Sequence, residues 1–210
     1  LGMPAVDARS LVRAVATYAA AWLLYMPAVH LNRYFAAACI ALAAVAWSVL
    51  GWRYARMVDA SEADDRVHAR VVRIGVVMGI AALWMAALAS ATESWQLLRG
   101  TVVGSLWGCL AMTFLGVAHR MIPFFTASAL PFLNAWRPMW LLGVFVAATL
   151  TGFISGLIDL TIWPAPPTVR VLQLLPGAIL RLGLLFLAVR WGIVQCLRGR
   201  LLAMLHVGFV

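Results

Sequence analysis

Few side chains in this 210-residue sequence are able to do chemistry. There are four histidines, His30, His68, His119 and His206, and three cysteines, Cys39, Cys109 and Cys196. Imidazole and sulfur are the ligands that hold haem or copper inside a membrane helix bundle. No HxxxH or HxxE pair places two ligands on one helical face, and no CxxC pair makes a zinc or disulfide motif. The cysteines are scattered in apolar segments and read as small buried hydrophobes. His68 lies in a charged segment and reads as an ordinary exposed histidine. His119 and His206 end and open apolar runs that meet the same membrane border, so these two can share a metal or cofactor site. His30 is at the opposite border and cannot join them. By spacing alone each histidine also reads as an interfacial, hydrogen-bonded residue.

The elements that must position these residues are apolar. Hydrophobic residues make up 65% of the chain and charged ones 11%, against about 25% charged in a soluble domain. Lipid is therefore the solvent for most of it. All 16 basic residues are Arg and the net charge is +9. The arginines border apolar runs instead of forming one patch, which excludes nucleic acid as a partner. Arginine at a membrane border binds lipid phosphate and biases topology.

Six apolar runs are predicted to span: about 14–29, 34–52, 74–92, 100–118, 139–157 and one within 171–196. A seventh, Leu201 to Val210, is too short to cross. The fold class is thus all-α, a polytopic helical bundle of six spans plus a truncated seventh. Two registers fit the sixth run. Either Arg181 sits near its middle, or the helix starts at Pro176–Gly177 and Arg181 and Arg190 snorkel to opposite borders. The second is preferred, because a central arginine is costly. Counting arginines in the connections puts the N-terminus in the cytoplasm, with Arg33, Arg99 and Arg170 outside. The chain is expected to be one transmembrane domain, the middle portion of a larger protein.

Glycines mark how the spans pack. Gly100, Gly104, Gly108 and Gly116 step by fours, with Met112 filling the gap, and His119 continues the ridge. Gly75 and Gly79, then Ala148, Gly152 and Gly156, make similar faces. Such faces let helix backbones approach closely; a flat cofactor against the ridge is the alternative reading. No carboxylate lies in the middle of a span, which argues against a cation-coupled pump. No nucleophile–base constellation appears, and catalysis is not assigned.

The connection "HRMIPFFTASALP", residues 119–131, resembles the signature of the NnrS family. Arg120, Ile122, Pro123, Phe125 and Thr126 match it. "LLAMLHVGF", residues 201–209, is similar to a second family motif through His206 and Gly208. The order of the motifs, with two spans between, also agrees. The resemblance implies a multi-pass bacterial inner-membrane protein associated with haem and copper and with the response to nitric oxide. It implies members about twice this length, with about twelve spans. The family's His-containing opening region and its later His-rich region are absent from these residues, so several ligands are expected outside them. With that resemblance, His206 and His119, placed at one border by the topology, are the candidate metal ligands, and Arg120 either pairs a haem propionate or another anion or binds lipid phosphate as a topology marker. The chain is expected to leave the fourth helix at His119–Arg120, with Pro123 blocking its continuation. Two other classes stay open: a channel or permease for a small solute, and a structural subunit of a respiratory membrane complex.

Overall fold

A computed structural model describes residues 7–63, 65–129, 136–162, 164, 166–196 and 204. Regular structure among the described residues is entirely helical. The helices are α1 (Ala8–Leu31), α2 (Arg33–Ala60), α3 (Val67–Thr92), α4 (Trp95–Val103), a π-helical stretch (Gly104–Ala111), α5 (Met112–Ala129), α6 (Met139–Thr161), α7 (Pro167–Arg190) and the short α8 (Ile193–Cys196). Six helical spans among the described residues are long and apolar enough to cross a bilayer, the fourth running from Trp95 to Ser128. This is the all-helical multi-pass architecture that the hydropathy pattern predicts. The seventh run lies outside the described residues, apart from Met204.

Each helix end has a local cause. Asp7 caps α1 by accepting from the Arg9 amide at 3.2 Å. Asn32 closes α1 and opens α2: its amide donates to Ala28, and its side chain accepts from the Tyr34 amide at 2.7 Å. Glu93 ends α3 in the left-handed region, at φ 52°, and Ser94 then caps α4 through the Leu97 amide. Gly192, at φ 87°, turns the chain after α7, where a Cβ would strain the backbone.

The chain forms two compact units, Leu1–Ala111 and Met112–Val210. In the first, α1, α2, α3 and the α4–π segment pack in sequence, each against the next. Arg33 of α2 meets Glu93 at 2.8 Å at one end. At the other end Arg53 donates to Ser10, Tyr54 to the Ala69 carbonyl, and Arg73 pairs with Asp59 at 2.6 Å. Small residues fill the seams. A Cβ on Gly79 would lie 2.8 Å from Cys109 Sγ, and one on Gly108 would lie 2.9 Å from Met78 Cε. The glycine ridge therefore serves helix packing at Gly108, with a neighbouring side chain in the space. The π-helical stretch turns less per residue than an α-helix. That keeps Gly104 and Gly108, four residues apart, both buried.

In the second unit α6 packs on α5 and α7 on α6. Leu115, Ala118, Ile122, Leu141, Phe145, Leu187, Ala188 and Trp191 form its buried core.

Three expectations are corrected. Pro123 does not stop the fourth helix, which continues to Ala129. Pro176 does not start the sixth, which begins at Pro167. An internal proline removes one backbone bond, whereas ending the helix orphans four carbonyls. In lipid, with no water to receive them, continuing is cheaper. The third is His68, which is 6% exposed rather than exposed. The polar link is only residues 61–66, because α2 and α3 extend well past the apolar runs. His68 Nδ1 lies 3.5 Å from Asp65.

Candidate functional site

The residues of the His119–Thr126 motif lie on α5, and the helix sorts them by face. His119, Ile122, Pro123 and Thr126, spaced three and four apart, are buried. Arg120, Met121, Phe124 and Phe125 turn outward. The motif is thus a two-sided element. Its inner side belongs to the core of the second unit. Its outer side carries one guanidinium beside two phenylalanines that stack edge-on on each other.

His119 is completely buried. Its Nε2 lies 3.2 Å from the carbonyl oxygen of Pro138. A carbonyl only accepts, so Nε2 carries the proton and donates. Pro138 is the residue that opens α6, and the Leu141 amide also donates to its oxygen, at 3.1 Å. Both lone pairs of that carbonyl are used, and the imidazole ties α5 to the start of α6. Pro123 has no N–H for the carbonyl of His119, four residues earlier, so the motif carries its own break in the backbone ladder.

An aromatic wall encloses the ring. Phe145 meets His119 edge-on, with centroids 6.0 Å apart. Trp191 also meets Phe145 edge-on, at 89° with centroids 6.4 Å apart. The indole N–H of Trp191 donates to the Trp136 carbonyl at 2.9 Å. The α6 end of the α5–α6 connection is therefore held at two points by buried rings: Pro138 by His119 and Trp136 by Trp191. One turn deeper in α6, Thr149 donates to Val146 and lies 3.6 Å from Met112 Sδ.

Of the residues proposed for a cofactor, His119 and Arg120 are adjacent in sequence, one buried and one exposed. His206 lies outside the described residues. Among the described residues no three of His, Cys, Asp and Glu converge. Ligating histidines often donate their second N–H to a backbone carbonyl, and His119 has that bond. It is nonetheless a single enclosed imidazole, with no group of three such ligands around it among the described residues. Pro138, Phe145 and Trp191 were not singled out by sequence. Pro138 follows Arg137 at the opening of an apolar run, and Trp191 follows Arg190 at the close of one; these border positions are the only signal they carry.

Together these features define a multi-pass helical membrane protein whose fourth span ends in a buried His–Pro motif. The family model described as NnrS protein matches residues 1–210, and the chain belongs to the NnrS family. Comparison with curated proteins and with solved structures gave no match.

Proposed function

We propose that this chain acts in the bacterial inner membrane as part of the defence against nitric oxide stress. The observation that carries this reading is the family match over residues 1–210. The orientation that goes with it has the N-terminus in the cytoplasm, because the arginine-rich connections then fall inside. In that orientation the His119 end of α5 meets the cytoplasmic border.

Haem and copper are what the family resemblance implies. A centre holding either needs ligands besides the described residues, and His206 is the sequence's candidate. Arg120 supports the reading through its exposure, since an outward guanidinium beside an aromatic pair suits the propionate of a docked porphyrin. The role of the inner face is positional: His119 fixes the α5–α6 corner from which Arg120 projects.

The test is a strain lacking the full-length gene, challenged with a nitric oxide donor, alongside an absorption spectrum of the purified protein. Slower recovery than the parent, and a Soret band that weakens in His206→Ala and in Arg120→Gln, are expected. Equal recovery together with a colourless protein overturns the reading.

A further inference from the structure

Among the six described spans, helix α7 is the least buried. Of its apolar window 11% is buried, against 17–44% in the other five. Arg181 stands exposed on it and makes no hydrogen bond or ion pair with any described residue. The helix runs unbroken from Pro167 to Arg190. At 1.5 Å per residue, Arg181 lies ~14 Å from the Arg190 end and ~21 Å from the Pro167 end. Half of a hydrocarbon core is ~15 Å. Arg181 is therefore near mid-depth. Helical side chains lean toward the N-terminus. Its stem thus points to the farther border, which an arginine is too short to reach. Snorkelling does not relieve this charge, and lipid phosphate does not come to it.

A guanidinium at that depth calls for an anion in the same plane. None of the seven acids in this sequence supplies one. Asp7 precedes α1, four acids lie between Asp59 and Asp65 at the α2–α3 end, Glu93 closes α3, and Asp159 is in the last turn of α6. A second copy of the chain presents the same acids at the same borders. Beside Arg181 the surface is shaped for a helix. Gly177, one turn earlier, has nothing within 4 Å of where its Cβ would be. Ala178 follows it, and small residues let two backbones close up.

We propose that the α7 face around Arg181 docks a further transmembrane helix, one that presents an Asp or Glu carboxylate at mid-bilayer depth. The carboxylate accepts two N–H bonds from the guanidinium. Gly177 and Ala178 receive the partner's backbone, and Leu174 and Leu185 flank the pair on the same face. The proposal stands independently of the nitric oxide reading.

The experiment places a benzophenone amino acid at Leu185, which is 48% exposed, in the protein in its native membrane with Arg181 intact. Irradiation should give an adduct on an apolar segment of about 20 residues with an acidic residue near its middle. Arg181→Leu should lower the adduct yield about tenfold or more, because one member of a buried pair is lost. Arg181→Lys should keep most of it. Changing the partner's acid to Asn, with this chain unaltered, should reproduce the loss, and that reading holds even where Arg181→Leu fails to insert. Adducts to lipid alone, to residues 1–210 of either copy, or to a helix without an acid overturn the proposal. So do the absence of any adduct and a yield indifferent to these substitutions.

Discussion

His119 combines two properties that pull apart on substitution: volume in a closed core and one N–H for the Pro138 carbonyl. His119→Phe keeps most of the volume and loses the donor, and should cost about 1–3 kcal/mol through the carbonyl left short of a partner. His119→Ala loses both and should cost about 2–5 kcal/mol. Thermal unfolding in detergent, followed by near-ultraviolet signals of Trp136 and Trp191, measures the difference. Arg120 is the contrast. It is exposed, and Arg120→Gln should change stability by less than about 0.5 kcal/mol, whatever it does to haem. The sequence spacing already placed His119 on the buried ridge, because Gly116 precedes it by three residues. Its bond to Pro138 was not legible, since 19 residues of chain separate the two. His68 was misjudged for a related reason. Composition reports that a segment is charged, but burial depends on how far the neighbouring helices extend, and α3 begins just before His68.

At the scale of helices the glycines separate into two kinds. Gly79 and Gly108 are contact glycines, each facing a side chain that would have to move. Gly79→Val should cost about 1–3 kcal/mol through overpacking against Cys109 and Trp47. Gly143 of α6 has nothing within 4 Å of a Cβ. Gly143→Ala should be neutral or stabilising by up to about 1 kcal/mol, from helix propensity alone. Guanidine or heat titration of the two variants in the same detergent checks the opposite signs. A four-residue glycine step pointed to close packing, and the packing is there at Gly108. The step alone did not say which glycines touch a neighbour, because that depends on the facing residue, which at Gly108 is Met78. Pro123 was misread because the rule that proline ends a helix comes from water, and Pro176 because the cost of a central Arg181 favoured a later helix start. In lipid the chain has no outlet for freed carbonyls, so α5 carries Pro123 and α7 carries Pro176 within them.

At the scale of the whole chain, the positions of the charges and the lengths of the helices make one prediction about topology. The fourth span, Trp95–Ser128, has 34 residues, which rise roughly 51 Å against a hydrocarbon core of ~30 Å. Such a helix either crosses once with a long overhang or bends back at Pro123 and leaves the parity of later spans changed. α5 is helical through Pro123 to Ala129, and His119, within the helix, is tied to Pro138 at the start of α6, which favours one crossing with an overhang. Three crossings then separate the α2–α3 link from the α6–α7 link, and two separate it from the α5–α6 link. Reporter enzymes fused at Glu62 and at Arg137 should therefore share one side of the membrane, and a fusion at Pro164 should take the other. In the orientation proposed above, Glu62 and Arg137 fusions give cytoplasmic activity and the Pro164 fusion gives external activity. A fusion at Arg137 that matches Pro164 instead would mean that the fourth helix does not cross once. The His119 corner would then lie at the opposite border from the one its arginines mark.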